Sequence, residues 1–328
     1  MEVAVILLAG IDIGGTKCSV SIGRSCGDGV ELLVKKAIPT PQEPHSAIEA
    51  ILKILQELLE AHQDSEPLAS IGISCGGPLN SRSGRILSPP NLPGWDDIDI
   101  VSPFRDTFGV PVAVQNDANA CALAEWTWGA GKGSSNMVFL TFGTGMGAGL
   151  ILDGKLYSGT NDMAGEVGHI RLEHDGPKGY GKLGSFEGFC SGGGIAHLAT
   201  QVARRRLSEG IPPSFCPSPE AIGEITAKKV FEYAHTGDPG ALEVVDMVAY
   251  QLGRGLSMLI DLLNPERIVI GSIYTRQQSL LESKVHQVLL EECLSISRQV
   301  CTILTAGLGE EIGDYAALSV AQYALRTS

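Results

Sequence analysis

The sequence predicts an α/β fold made of two similar halves with a ligand-binding cleft. Three observations predict it. The chain has 328 residues, enough for about two domains of ~150 residues each. Strand and helix patterns alternate along it. The unit of strand, glycine-rich turn and strand occurs twice, at residues 3–22 and 137–152, which indicates a structural duplication. Two matched domains commonly bind a ligand in the cleft that they form.

The first half is predicted to contain a strand meander, a helix and two further strands. Strands are expected where apolar or alternating residues are bounded by turn residues, and the helix where apolar residues recur at helical spacing. The strands are predicted at residues 3–9, 18–22, 30–36, 68–74 and 110–115. The helix is predicted at 46–62, and another follows Asn116-Asp117 directly.

The second half repeats the opening and then adds longer helices. Strands are predicted at residues 137–141, 150–152, 267–270 and 300–305. Helices are predicted at 194–206, 239–263, 277–292 and 313–325.

Composition argues against several functional classes. The net charge of −13 argues against nucleic acid or an anionic membrane as the main partner. No run of ~18 uninterrupted apolar residues predicts a membrane span. The apolar stretch at residues 1–8 lacks a basic region before it and is interpreted as a strand rather than an export signal. Eight cysteines are scattered singly, which is typical of reduced thiols in a cytoplasmic protein.

Two glycine-rich turns have the composition of phosphate-binding turns. Gly14-Gly15-Thr16-Lys17 and residues 141–149 combine glycine with threonine. Glycine lets backbone N–H groups approach an anion closely, and threonine adds a hydroxyl. The first turn nearly matches a P-loop and the second a dinucleotide fingerprint, but both of those motifs open a helix. Here a strand pattern follows each turn.

Four motifs in register make the chain resemble the ROK family of sugar kinases and sugar-responsive repressors. They are Asp12-Ile13-Gly14-Gly15-Thr16-Lys17, Gln115-Asn116-Asp117-Ala118-Asn119-Ala120, Thr141-Phe142-Gly143-Thr144-Gly145 and Gly165-Glu166-Val167-Gly168-His169. The resemblance implies the two-lobed actin/Hsp70/hexokinase-like ATPase fold, with ATP and sugar between the lobes. The lobes are predicted at residues 1–117 and 118–313, with a final helix at 314–328 packing back on the first. A homodimer is expected.

The resemblance also implies roles for individual residues. Sugar hydroxyls are expected to contact Gly77, Asn91, Asn116, Asp117, Glu166, His169 and Glu187. The nucleotide and its Mg²⁺ are expected near Asp12, Gly14, Gly15, Thr16, Lys17, Thr141, Gly143, Thr144, Gly145, Gly271 and Gly309. Asp12 is expected to orient Mg²⁺ through water. Ser272 and Ile273 stand where relatives usually have more glycine.

Asp117 is the candidate general base. It follows a predicted strand, a usual place for an active-site group in α/β folds, and its carboxylate would take the proton of the acceptor hydroxyl. By residue type alone, an aspartate before a helix is more often an N-cap. The loop at residues 89–95, which holds Asn91, is equally consistent with a simple connection over Trp95.

The chain departs from the family pattern at a structural zinc site. Relatives carry three cysteines in a Cys-x-Cys-Gly-x-x-Gly-Cys run, and Lys178, Tyr180 and Ser185 occupy those positions here. One imidazole, His169, cannot hold a structural zinc alone, and Cys190 does not complete a ligand set. The sequence therefore predicts no zinc.

Alternative functions stay open. A sugar-responsive regulator would carry an N-terminal DNA-binding module, whereas the first glycine-rich turn begins near residue 10. A sugar-binding ROK protein without turnover is a second alternative, although Asp12 and Asp117 are both present. An acceptor such as glycerol or a carboxylate is a third. Among sugars, glucose or an N-acetylhexosamine is favoured; mannose, fructose and allose are also open.

Overall fold

The computed structural model describes residues 5–26, 29–62 and 66–327, and the chain divides into two compact units. The first contains Met1–Ser135, Gly149–Ala164 and Gly307–Ser328; the second contains Asn136–Ala148 and Gly165–Ala306. These bounds differ from the lobes predicted at residues 1–117 and 118–313, since residues 118–135 fall in the first unit. The division into lobes stays a prediction.

Fifteen strands lie in the described residues. They are β1 (Ile6–Ile13), β2 (Lys17–Cys26), β3 (Gly29–Pro39), β4 (Leu68–Cys75), β5 (Leu79–Asn80), β6 (Arg85–Ile86), β7 (Ile98–Asp99), β8 (Val112–Asn116), β9 (Met137–Phe142), β10 (Met146–Leu152), β11 (Lys155–Leu156), β12 (Lys178–Gly179), β13 (Lys182–Leu183), β14 (Arg267–Ile270) and β15 (Thr302–Thr305).

Ten α-helices lie in the same described ranges. They are α1 (Pro44–Glu60), α2 (Ser102–Phe108), α3 (Asp117–Thr127), α4 (Phe186–Phe189), α5 (Gly192–Ser208), α6 (Ala227–His235), α7 (Pro239–Leu263), α8 (Ile273–Glu292), α9 (Ser295–Val300) and α10 (Ile312–Thr327). No helix among the described residues is both long and apolar enough to cross a bilayer.

Two five-stranded sheets organise the described part of the chain. The first has the order β3-β2-β1-β4-β8 and the second β11-β10-β9-β14-β15. In the first, β1 pairs antiparallel with β2 and parallel with β4, and β4 pairs parallel with β8. In the second, β14 pairs parallel with both β9 and β15. Small sheets form from β5-β6-β7 and from β12-β13.

Both glycine-rich turns lead into strands, as the sequence predicts. The first joins β1 to β2 and the second joins β9 to β10. A P-loop or a dinucleotide-binding turn would open a helix at these points. The two decoy motifs are therefore excluded by topology.

The predicted long elements are present with shifted bounds. The first strand was predicted at residues 3–9, but β1 runs from Ile6 to Ile13, so that Asp12 lies on the strand; residues 3 and 4 lie outside the described residues. Helix α8 begins at Ile273 rather than 277, with a kink at Gln277. The short helices α2, α6 and α9 were not predicted, because segments of six to nine residues carry too few apolar repeats.

The first sheet is buried on both faces. Residues 7, 9, 11 and 13 of β1 alternate into a core shared with the apolar face of α1, which includes Ile51 and Leu55. Leu8 points to the other face and packs with Leu318 of α10. Gly72 of β4 lets α10 come this close, since a Cβ there would overlap the carbonyl oxygen of Ala317. Helix α10 thus packs on β1 and β4.

Candidate functional site

Parallel strands of the first sheet end together and place polar residues at one edge. Ile13 of β1 lies beside Cys75 of β4, and Cys75 lies beside Asn116 of β8. The carboxyl ends of parallel strands are the usual place for a ligand in α/β folds. Asp12, Gly76-Gly77 and Asn116-Asp117 are therefore brought to the same edge.

Asp12 is half-buried at this edge, and its acidity is perturbed. Burial, followed by the nearby charge of Asp117, raises the pKa of Asp12 to about 6; Lys35 and Lys17 oppose the shift. Both causes disfavour the ionised form. The site therefore concentrates negative charge that a bound cation would stabilise.

Asn116, not Asp117, caps helix α3. The Asn116 side-chain oxygen accepts a hydrogen bond from the backbone N–H of Asn119 at 2.8 Å, the usual N-cap contact. Asp117 is the first helical residue, and its Oδ1 accepts from the N–H of Ala118 at 2.9 Å. Burial raises the pKa of Asp117 above its usual range, even though the residue keeps accessible surface. Because Asn116 performs the capping, Asp117 is not required for it.

The first glycine-rich turn is closed by its own backbone. The Gly14 N–H donates to the Lys17 carbonyl at 3.0 Å, and the Thr40 hydroxyl donates to the Gly14 carbonyl at 2.6 Å. Gly15, Thr16 and Lys17 are exposed. Lys17 is near enough to Asp12 for its positive charge to lower the pKa of Asp12. A lysine in this position could also neutralise the charge of a bound phosphate.

Asn91 is brought to the same edge by the Pro-rich loop. A Cβ on Gly15 would overlap the backbone carbonyl oxygen of Asn91. A Cβ on Gly76 would lie about 3.0 Å from the side-chain amide of Asn91. Trp95, buried at 1% exposure, anchors the loop beneath. The structure thus brings together Asn91, Gly15 and Gly76, while Gly77 lies next to Asn116.

The second sheet has an equivalent edge. Leu140 of β9 lies beside Ile270 of β14, which lies beside Thr305 of β15. The turn after β9 is ordered by Thr141, whose hydroxyl accepts from the Gly147 N–H at 2.9 Å. The Gly143 N–H donates to the Gly145 carbonyl at 3.1 Å.

Gly271 and Ser272 lie at the same edge and face this turn. Gly271 is buried and follows β14 directly. The Ser272 hydroxyl lies 3.2 Å from the point that a Cβ on Gly143 would occupy. Ser272 has φ 58° and ψ −113°, a conformation that glycine adopts far more readily. Glycine at position 272 would therefore be less strained than serine.

Glu187 supports the second turn from helix α4. Its Oε2 accepts a hydrogen bond from the Met146 N–H at 3.0 Å, next to Gly145. Glu187 is half-buried rather than a solvated residue at a helix start. One carboxylate oxygen is therefore committed to the backbone of the turn.

The motif at residues 165–169 forms a compact turn. Gly165 has φ 92°, and a Cβ there would overlap the carbonyl oxygen of Ala148, so that glycine is required. Glu166 is exposed just before a 3₁₀ turn at Val167–His169, and His169 is exposed at its end. Both side chains are accessible to a ligand.

Hydrogen bonds organise residues 171–188, the segment in which the sequence predicts no zinc site. Strands β12 and β13 pair as a hairpin, and the Arg171 guanidinium donates to the Leu183 carbonyl at 2.8 Å. Ser185 is fully buried and accepts from the Gly188 N–H at 3.1 Å. Glu173 accepts from Gln251 of α7 at 3.1 Å. These contacts support the position of α4 and Glu187.

Two residues of this hairpin contact His169. The Lys182 ammonium donates to the His169 carbonyl at 2.7 Å. The Tyr180 ring lies edge-on to the imidazole, with 6.4 Å between centroids and 80° between planes. Neither Lys182 nor Tyr180 was predicted as a site residue.

Glu125 is a further residue that the sequence did not reveal. It is a fully buried carboxylate in α3. It accepts hydrogen bonds from the backbone N–H groups of Ala130 at 2.7 Å, Gly307 at 3.0 Å and Leu308 at 2.9 Å. Glu125 therefore fixes the loop that carries Gly309, which has φ 57° and is exposed.

Within the described ranges, no group of three or more His, Cys, Asp or Glu side chains is placed to hold a metal ion. Mg²⁺ in phosphoryl-transfer sites is often held by one or two carboxylates and the substrate phosphates, which the pair of Asp12 and Asp117 fits. The predicted lack of zinc stays a prediction.

Comparison with known proteins identifies relatives along nearly the whole chain. The sequence profile of the ROK family matches residues 8–323. A glucokinase from Halalkalibacterium halodurans is 35% identical over 283 residues, which cover 85% of this chain and 83% of that protein.

Solved structures give the same family. A ROK family glucokinase from Streptomyces griseus, in complex with glucose and AMPPNP, is 27% identical with a TM-score of 0.71, covering 98% of this chain and all of that one. A ROK family transcriptional regulator, a homologue of the E. coli MLC protein, is 25% identical with a TM-score of 0.83, covering 97% and 78%. The predicted actin/hexokinase-like fold class is confirmed.

Replacing Glu125 by alanine is expected to lower the free energy of unfolding by about 2–4 kcal/mol, because three backbone donors lose their acceptor in a buried place. Urea denaturation measures it. Glu49→Ala, an exposed residue of α1, is the matched control and should change stability by less than about 0.5 kcal/mol. Equal stability of the two variants would contradict the anchoring role.

Asp12→Asn is expected to stabilise the protein above pH ~6. The folded protein binds more protons than the unfolded chain between the ordinary Asp pKa of 3.8 and the folded value of about 6, so the free energy of unfolding falls as pH rises through this window. The variant removes this cost, up to about 3 kcal/mol at pH 7.5, and should match wild type near pH 3.5. Exposed Asp106→Asn is the control. A gain in stability that does not change with pH would contradict the raised pKa of Asp12 as its cause.

Proposed function

The chain belongs to the ROK family, and we propose that it is an ATP-dependent kinase for a hexose or N-acetylhexosamine, with glucose as the leading candidate. The glucokinases from Halalkalibacterium halodurans and Streptomyces griseus support this proposal. The AMPPNP in the second supports ATP as the phosphoryl donor.

The observation that carries the proposal is Asp117 at the carboxyl edge of the first sheet, with Asp12 nearby. Desolvation raises the pKa of Asp117, which makes its carboxylate a stronger base than an aspartate of ordinary pKa. Since Asn116 caps the helix, the Asp117 carboxylate is available for chemistry. A position for a general base is thus supplied by β8 and α3.

In the proposed reaction, the sugar hydroxyl oxygen attacks the γ-phosphorus of ATP. The new P–O bond forms as the bond to the bridging oxygen of ADP breaks, and Asp117 accepts the hydroxyl proton. Positioning and charge stabilisation provide most of the catalysis in such transfers. Asp117 therefore contributes by orienting the hydroxyl and by removing its proton.

The two glycine-rich turns are proposed to hold the phosphates with their backbone N–H groups. Gly14 to Lys17 and Thr141 to Gly145 are the segments proposed for this role. Gly271 and the Gly309 loop, which Glu125 fixes, are proposed to contact the nucleoside. Bound Mg²⁺ would neutralise phosphate charge near Asp12, and the raised pKa of Asp12 fits a group that a cation stabilises.

The sugar is proposed to contact the residues that the sequence predicts for it, which are Gly77, Asn91, Asn116, Glu166, His169 and Glu187. Amide, carboxylate and imidazole groups supply the paired donors and acceptors that a polyol needs.

A sugar-responsive ROK protein without turnover is the alternative. The TM-score of 0.83 to a ROK transcriptional regulator favours it, because regulator and kinase share this fold. Binding of sugar without ADP release would distinguish it from a kinase.

Asp117→Asn is expected to lower kcat by at least about 100-fold with little change in KM for ATP, because general base catalysis typically contributes ~10²–10⁴. ADP release is measured with ATP, Mg²⁺ and a panel of hexoses and N-acetylhexosamines. Wild-type kcat/KM should also fall as pH drops through the raised pKa of Asp117. Asp246→Asn, an exposed residue paired with Lys284, is the control. Undiminished turnover in Asp117→Asn would overturn the base assignment.

We also propose that the chain forms a homodimer through an apolar surface of the second unit. This surface consists of exposed residues on α7, α8 and α9 and at the N-cap of α9: Met258, Leu262, Leu290, Leu294, Ile296 and Val300. Leu262 is 78% and Ile296 75% exposed, and helices α7 and α9 are in contact. Contiguous exposed apolar residues commonly mark an interface.

Sedimentation equilibrium tests this proposal. Wild type should have twice the monomer mass, and Leu262→Asp with Ile296→Asp should be monomeric, because a charge in an apolar interface is strongly unfavourable. Ile211→Asp, at an exposed position outside this surface, is the control. A monomeric wild type would exclude the dimer.

A further inference from the structure

We propose that Tyr180 is a sugar-contacting residue that sets affinity for the hexose ring, an inference that rests on the proposed function. Tyr180 is not among the sugar-contacting residues that the sequence predicts, and it stands at one of the positions where the family pattern has a cysteine.

The exposure of Tyr180 is the first observation. Its side chain is 79% exposed, although the ring of a tyrosine is largely apolar. Exposed aromatic rings of this size are typical of recognition surfaces, where an apolar face and a polar hydroxyl are both used. Tyr180 therefore has the surface to contact a ligand.

The backbone of Tyr180 is the second observation. Tyr180 and Gly181 are the two loop residues of the β12–β13 hairpin, with φ 42° and 83°. Positive φ at both central residues defines a type I′ turn, for which Asn-Gly is strongly preferred. A bulky side chain at the first position is a local strain that the hairpin itself does not need. The strain points to a role for the ring beyond the turn.

The surroundings of Tyr180 identify the ligand chemistry. Its ring lies edge-on to His169 at 6.4 Å, and Lys182 on the next strand holds the His169 carbonyl at 2.7 Å. The hairpin thus fixes both the aromatic ring and the residue proposed to bind sugar hydroxyls. A hexose has apolar C–H faces and hydroxyls at its rim, which match an aromatic ring beside an imidazole.

The hairpin also has the support that a binding element needs. Arg171 donates to the Leu183 carbonyl, and Gly179 lies against the backbone of Gly188 in α4. The chain from Tyr180 to Glu187 is therefore tied at several points. A rigid aromatic ring binds with little loss of conformational entropy.

The test replaces Tyr180 by the residue that the turn prefers. Tyr180→Asn should leave the melting temperature unchanged or higher, so that a lost activity cannot be attributed to unfolding. The KM for the best sugar of the panel should rise about tenfold, as expected for a lost aromatic contact, with kcat within about twofold and KM for ATP unchanged. Tyr180→Phe, which keeps the ring, should stay within about threefold of wild type.

Gly181→Asn is the matched control, because it alters the same turn at a position where a side chain meets open space. It should keep wild-type KM for the sugar. If wild type is active, two results would overturn this inference but not the proposed function. One is an unchanged KM for the sugar in Tyr180→Asn, and the other is a tenfold rise of that KM in Gly181→Asn as well. Wild type without turnover on any sugar would overturn the proposed function and this inference with it.

Discussion

Strands β1, β4 and β8 end side by side, and this shared end fixes the positions of the polar residues at the edge of the first sheet. Their registers bring Ile13, Cys75 and Asn116 side by side, so that each strand delivers its next residues to one place. The same strands alternate apolar side chains into the core under α1 and α10. Because side chains alternate with period two, a slip of one residue would turn Asp12 toward the core under α1 and would turn residues 7, 9, 11 and 13 toward α10. The same strand registers therefore determine both the packing of the core and the geometry of the site.

Charge is arranged differently on the two sheet edges. The first edge carries Asp12 and Asp117, both with raised pKa values, and depends on cationic partners to favour their ionised forms. The second edge presents mainly backbone groups, with Glu187 engaged by the Met146 N–H. In the proposed reaction, carboxylates would act on the acceptor hydroxyl, and backbone N–H groups would hold anionic oxygens.

Much of this arrangement follows from local patterns. Glycine turns between apolar strands predicted both hairpins, and the position of Asp117 after a strand predicted it at an edge. Asp12 was expected near the nucleotide only from the family resemblance, and it lies on β1 itself. Glu125 could not be predicted, because a glutamate in a helix normally faces solvent and its partners at residues 307 and 308 are distant in sequence. The cap at Asn116 was missed because adjacent Asn and Asp are equally good caps. The hairpin around Tyr180 depends on contacts with Arg171 and α4 that no periodicity encodes.

Asp12, Gly76-Gly77 and Asn116-Asp117 lie at the carboxyl ends of the parallel strands, so the opposite ends of these strands carry none of the predicted site residues. The turn before β8 passes through Gly109, which is exposed with φ 66°. From Val112 to Asn116 the strand spans about 13 Å. A fluorescent label or a peptide tag inserted at residue 109 would be separated from Asp117 by the length of a strand. The architecture thus offers a handle for immobilising or tracking the protein without touching its chemistry.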